Sequence, residues 1–198
     1  NNWNASPQGN LPLLSWEIRA QAALEHRRRN KAPIWTPLTG PQTQAYHCEA
    51  DEVFYGGSAG GGKTDLLLGL ALTSHRKAII FRREYPQLKD IVMRSQELLA
   101  NAGAKLNGQT MMWRAIPGGR TLEFGAVQYE NDVQKYRGRA HDLKAFDEVS
   151  AFTESQYRFL IGWARTTDPH QSVRVVCTGN PPTTAEGEWV IARWGAWL

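Results

Sequence analysis

The stretch FYGGSAGGGKTDLLLGLAL, residues 54–72, constrains the fold more than any other part of the chain. Five glycines precede a Lys-Thr pair, and an apolar run follows. Gly57-Ser58-Ala59-Gly60-Gly61-Gly62-Lys63-Thr64 satisfies G-x-x-x-x-G-K-[ST] at every position. Glycines let a chain turn its N–H groups inward and approach an anion without side-chain clash. A helix that opens directly after them offers unsatisfied N–H donors and the positive end of its dipole. Lys63 then reaches the β- and γ-phosphates of a nucleotide, and the Thr64 hydroxyl holds Mg²⁺. The alternative is a glycine-rich turn that carries a lysine by chance. Context argues against it, because the loop leaves an apolar strand and opens an apolar helix, as phosphate binding requires.

Alternating elements surround this loop. Residues 53–55 and 78–81 read as strands, with a helix over 64–73 between them. Residues 86–101 are amphipathic, with apolar positions at Leu88, Ile91, Val92, Leu98 and Leu99 and a C-terminal stop at Gly103. Residues 111–114 and 121–124 flank AIPGGR as a hairpin. Residues 143–146 form another buried strand, and Thr153 with Gln156 makes a capping-box pattern opening a helix through Ala164. Residues 173–178 give a last core strand. This alternation predicts an α/β fold with a mostly parallel central sheet, helices on both faces, and the hairpin at an edge or as an insertion.

Upstream, residues 1–12 read as loop and residues 13–29 as a moderately amphipathic helix with Ser15 as N-cap. His26 and the Arg27, Arg28, Arg29 run suit the negative end of its dipole, or contact nucleic acid. KAPIWTPLTGP is a Pro-rich connector. The expected organisation is an N-terminal helix and connector over 1–34 and a P-loop ATPase domain over 35–198.

Composition sets outer bounds. A chain of 198 residues with 41% hydrophobic and 21% charged residues is an ordinary globular protein with room for one real core. Its net charge of +4 is compatible with a polyanionic partner. Cys48 and Cys177 are far apart and in no metal-like spacing, which favours a reduced intracellular setting with both thiols as small core residues. No apolar run approaches the roughly 18 residues of a membrane span. The chain opens at Asn1 without an initiator Met or signal-like start, so a piece of a longer protein is expected. Trp189, Trp194 and Trp197 crowd its end, and such a tail calls for a surface to pack on, such as a further domain.

Three further segments bear on chemistry. LKAFDE, residues 143–148, is an apolar strand ending in two carboxylates. Asp147 at the strand tip would hold Mg²⁺ through water, and Glu148 would polarise a water attacking the γ-phosphate. Hydrolysis needs such a base, whereas a helix-capping acidic pair does not need the phosphate loop beside it. CTGNPP, residues 177–182, places Thr178, Gly179 and Asn180 at a strand exit, where a small polar group can sense the γ-phosphate. The same residues are turn chemistry, and spacing does not separate the two readings. KYRGRAHD, residues 135–142, sets Arg137 and Arg139 in a glycine-containing loop. An arginine delivered to a neighbouring subunit's γ-phosphate accelerates hydrolysis by about 10³ to 10⁵. Solvated or DNA-facing arginines are the competing reading.

Taken together, PLTGPQTQAYH, YGGSAGGGKT, IIFRREYPQLKDIV, DVQKYRGRAHDLKAFDEVSAFTESQYRFL and VVCTGNPP resemble the ATPase domain of the large terminase subunit of tailed bacteriophages. The resemblance runs from about Trp35 to Trp194. It implies the additional-strand, catalytic-glutamate (RecA-like) type of P-loop NTPase, using ATP and Mg²⁺. It implies Gln42 as the adenine contact with Gln44 as fallback, Gly57 to Thr64 as the phosphate loop, and Thr64 and Asp147 at the metal. Glu148 becomes the catalytic glutamate, and Thr178, Gly179 and Asn180 the coupling motif. Arg137, then Arg139, is the arginine finger. The chain departs from full-length family members in lacking, after Pro182, anything that supplies their RNase H-like nuclease, so cleavage of DNA is not expected from it.

The implied function is ATP hydrolysis driving double-stranded viral DNA into a procapsid. The implied partners are that DNA, the portal protein, the small terminase subunit and further copies in a homo-oligomeric ring, a pentamer by likeness, with an isolated domain compatible with a monomer and no membrane involved. The implied location is the cytoplasm of the bacterial host, transiently at the procapsid portal. Arg82, Arg83 and the Arg27, Arg28, Arg29 run are candidate DNA contacts, sequence-independent and salt-sensitive. The alternatives are a RecA-like helicase or DNA-repair ATPase, which normally needs a second motor domain, and a nucleotide-dependent assembly switch, which does not need Glu148.

Overall fold

The computed structural model describes residues 33–57 and 60–196, together with Ile18, which is helical. The chain divides into two units, Asn1–Pro33 and Ile34–Leu198. The rest of the helix expected over 13–29, with Arg27, Arg28 and Arg29, lies outside the described residues, as do Ser58, Ala59 and Trp197.

The second unit carries strands β1 (Glu52–Gly56), β2 (Lys77–Arg82), β3 (Lys105–Asn107), β4 (Met112–Ile116), β5 (Arg120–Ala126), β6 (Leu143–Phe146) and β7 (Arg174–Gly179). They form a seven-stranded sheet in the order β1-β7-β6-β2-β5-β4-β3. β1, β7, β6, β2 and β5 run parallel, while β4 and β3 continue the sheet antiparallel at one edge. The expected hairpin is therefore β4–β5, and its second strand belongs to the parallel core.

Strands buried on both faces are continuously apolar, and Ala78–Ile79–Ile80–Phe81 shows why. Ala78 and Ile80 join the core under helices α1 (Pro41–His47), α2 (Lys63–Thr73) and α3 (Leu88–Leu99). Ile79 and Phe81 point the other way, toward α4 (Glu154–Ile161) and α5 (Trp189–Trp194). The three-layer prediction holds.

The local differences have local causes. Pro86 sits in a single 3₁₀ turn, Tyr85–Gln87, whose Gln87 side chain accepts from Glu84 N, so α3 begins only at Leu88. The capping box forms as read: Gln156 N donates to Thr153 Oγ1, and Thr153 N donates to Gln156 Oε1, each at 3.2 Å. The helix it opens stops at Ile161, and Ala164 bridges to His141. α1 and the three-residue β3 carried too little periodicity to be foreseen. Trp35, the first residue of the expected domain, is buried against α2.

Trp189 and Trp194 of the aromatic tail pack on this unit and are half-buried there. Trp194 stacks on Phe54 with ring centroids 5.1 Å apart, Trp189 lies 5.0 Å from Tyr157, and Trp189 Nε1 donates to Phe152 O at 2.9 Å. Among the described residues no helix is long and apolar enough to cross a membrane.

Candidate functional site

The C-terminal ends of β1, β7 and β6 converge on the N-terminus of α2. Parallel pairing aligns these ends, with Gly56 beside Gly179 and Phe146 beside Cys177. The glycine loop joins β1 to α2, and Gly62, its last residue, takes φ +67°. A Cβ at Gly62 would lie 2.5 Å from Gln42 Nε2, so conformation and contact both require glycine there.

Lys63, the first residue of α2, is buried. Its Nζ donates to Gly57 O and to Asn180 Oδ1, each at 3.0 Å, and so spans the loop and the exit of β7. Thr64 Oγ1 donates to Asp147 Oδ2 at 2.9 Å. Asp147, only 1% exposed, also accepts from Thr178 Oγ1 on its other oxygen at 2.8 Å. Arg82, at the end of β2, completes the set: its Nη2 lies 2.6 Å and its Nε 2.9 Å from Asp147 Oδ2. A buried carboxylate persists only with such charged and hydrogen-bonding partners.

Glu148 follows with φ +57° and ψ +57°, a left-handed conformation that strains any residue with a Cβ. This turn takes the chain from β6 into the 3₁₀ segment Val149–Ala151 and leaves Glu148 half-buried on a cleft of about 400 Å³. Gly60, Gly61, Gly62, Lys63, Thr64 and Asn180 line the same cleft. Ser150 Oγ donates to Asn180 O at 3.4 Å, joining the turn after Glu148 to the β7 exit.

Gln42 is buried with both ends of its amide engaged: Oε1 accepts from Leu38 N at 2.6 Å, and Nε2 donates to Gly62 O at 2.8 Å. It braces the loop against α1. Gln44 is exposed. Arg137 and Arg139 lie outside the cleft lining. Arg137 is exposed, with its guanidinium 5.9 Å from the Phe159 ring centroid. Arg139 pairs with Glu123 on β5 at 2.8 Å.

Arg82 and Arg83, the candidate DNA contacts, are both half-buried and engaged within the chain. Arg82 belongs to the Asp147 cluster, and Arg83 Nη1 donates to Gln156 Oε1. Reading the sequence missed Arg82 as a site residue because its contact depends on β2 lying next to β6, with Phe81 beside Phe146.

A sheet in which an extra strand, β7, separates the phosphate-loop strand β1 from the Asp-Glu strand β6 is the additional-strand type of P-loop ATPase fold. Solved structures with a similar fold include phage large terminases. The large terminase of bacteriophage HK97 superposes with a TM-score of 0.61 at 9% identity, over 79% of this chain and 36% of that one. The large terminase of a thermophilic bacteriophage gives 0.51 at 13% identity, over 81% and 38%. The chain thus shares its fold with part of these two phage large terminases and spans little more than a third of either protein's length. No family model and no curated protein matches the sequence.

Proposed function

We propose that this chain hydrolyses ATP with Mg²⁺ and serves as the motor domain of a terminase that drives double-stranded DNA into a procapsid. The carrying observation is the convergence of Lys63, Thr64, Glu148 and Asn180 with the loop glycines on one cleft, with Asp147 buried behind Thr64 and hydrogen-bonded to it. Lys63 binds the β- and γ-phosphates, and the backbone N–H groups of the loop cradle them. Thr64 Oγ1 and Asp147 Oδ2 are hard oxygens 2.9 Å apart that would hold the metal, Asp147 through water because the Arg82 guanidinium already sits on Oδ2. Among the described residues no group of three or more His, Cys, Asp or Glu could hold a metal alone, so phosphate oxygens and water would complete its shell, as Mg²⁺ prefers. When bound, the ion neutralises charge developing on the phosphates. Glu148 takes a proton from the attacking water.

Asn180 couples the cycle. Its Oδ1 holds the Lys63 ammonium that a phosphate also claims, and its carbonyl is tied to Ser150, two residues past Glu148. Phosphate arrival therefore bears on the β7 exit. Arg137 rather than Arg139 is the finger offered to a neighbouring copy, because the Arg139 guanidinium is committed to Glu123. A ring of copies, DNA, the portal and the small terminase subunit are the partners this reading implies.

Phosphate release with Mg²⁺ and binding of a labelled ATP analogue test it on the full chain. Glu148→Gln should lower turnover by about 10² to 10⁴ with analogue affinity kept, while Lys63→Ala loses both. Wild-type turnover in Glu148→Gln overturns the assignment.

A further inference from the structure

A second cluster of charge lies away from the phosphate cleft. Glu123 on β5 is 4% exposed, and Lys144 on β6 is 0% exposed. Buried charges are costly unless paired, and an ion pair in this setting fixes geometry more than it adds stability. These two converge on the segment that bears the arginines. Arg139 meets Glu123 in a fork, Nη1 to Oε1 and Nη2 to Oε2, each at 2.8 Å. Lys144 Nζ donates to Arg139 O at 3.1 Å and to His141 Nδ1 at 3.0 Å. An ammonium has no lone pair, so Nδ1 accepts, and the ring proton sits on Nε2, which faces Glu123 Oε2 at 3.3 Å. Side chains from two sheet strands thus clamp Arg139 and His141.

Backbone bonds finish the clamp. Arg137 N donates to Gln134 O and Arg139 N to Tyr136 O, each at 3.2 Å, and Arg165 Nη2 donates to Gly138 O at 3.3 Å. Gly138 takes φ +76°, which holds the turn between the two arginines. Both arginines are exposed, but Arg139 is committed to Glu123 while Arg137 rests on Phe159. The strand that carries Lys144, bonded to Arg139 O, runs directly into Asp147, so β6 links the arginine loop to the phosphate cleft.

We propose that Glu123, His141 and Lys144 are positioning residues for the arginine loop, setting Arg137 where it meets the phosphates held by a neighbouring copy. This rests on the reading of Arg137 as a finger in trans. The cluster touches no part of the phosphate cleft, so its loss should slow the chemical step and spare nucleotide binding.

The test is steady-state ATP hydrolysis by the full chain, with a double-mutant cycle. Glu123→Gln and Lys144→Met should each lower kcat by about 10²-fold, the cost of a misplaced catalytic group, with KM for ATP within about twofold of wild type. Glu123→Asp should recover part of the loss. Glu123→Gln combined with Arg137→Ala should be no slower than Arg137→Ala alone, because both remove one interaction. Multiplying effects, or wild-type kcat in a folded Glu123→Gln or Lys144→Met, would overturn the proposal. Should Glu123→Gln fail to fold, Lys144→Met, of matching length and without the charge, carries the same test. The two readings fail differently: wild-type kcat in Arg137→Ala sinks the finger, and with it the positioning role. A slow Arg137→Ala beside a fast Glu123→Gln sinks the positioning role alone.

Discussion

Gly69 sits in the interior of α2, the helix whose first turn carries Lys63 and Thr64. Helix propensity taken alone says that Gly69→Ala should stabilise by about 1 kcal/mol. The structure says the opposite. A Cβ at Gly69 would lie 2.3 Å from Trp35 Cε3 and 2.4 Å from Cδ2 and Cζ3, against about 3.5 to 4 Å for relaxed carbon contact. Trp35 is 9% exposed and packed against Tyr46 at 5.5 Å between ring centroids, so the ring has little room to give. Forcing a methyl into a filled core costs about 1 to 3 kcal/mol, and expelling the indole costs about 3 to 5. Three ring carbons in conflict place this case near 3 to 4, leaving a net loss of about 2 to 3 kcal/mol after the propensity gain. For a chain of this size that lowers Tm by roughly 5 to 10 °C. Thermal and urea unfolding of wild type, Gly69→Ala, Trp35→Ala and the double variant measure it. In the Trp35→Ala background, Gly69→Ala should turn neutral or stabilising, a coupling of about 2 kcal/mol or more. A raised Tm in the single variant, or additive losses, would refute the reasoning.

Two other perturbations probe buried charge. Arg82→Ala removes the guanidinium from Asp147 and should lower the unfolding free energy by about 1 to 3 kcal/mol, less than for a fully buried pair because Arg82 is partly exposed. Arg82→Lys should recover part of this, and an unchanged urea midpoint in Arg82→Ala would show that the pair contributes nothing. For Lys144, burial pushes the ammonium down from 10.5 to about 8 among Glu123, Arg139, His141 and Arg165. The unfolded chain then keeps a proton that the native protein releases between those values, so stability contributed by this group rises with pH across that window and is level below it. The stability of wild type relative to Lys144→Met should grow by up to about 3 kcal/mol between about pH 8 and about pH 10.5, and a difference independent of pH would refute it.

The amino-acid sequence by itself determined what depends on neighbours along the chain. The loop from Gly57 to Thr64 is legible because its chemistry needs glycines, a cation and a hydroxyl in consecutive order. The capping box at Thr153 and Gln156 is legible for the same reason, since its two hydrogen bonds close within one turn. The apolar strands show because burial on both faces leaves no polar alternation.

Only the tertiary structure decided which of these pieces meet. β7 is last in sequence yet lies between β1 and β6, and that placement brings Thr178 to Asp147 and Asn180 to Lys63. Nothing near Arg82 or Arg83 in the sequence distinguishes a guanidinium that enters the site from one that faces solvent; the pairing of β2 with β6 does. Gln42 likewise becomes a brace for the loop because α1 packs against α2. Arg137 and Arg139 look alike in sequence and part company because Glu123 takes one of them. Side-chain direction and partner follow from strand order and packing, which are set by contacts between residues far apart along the chain, and local pattern carries no record of them.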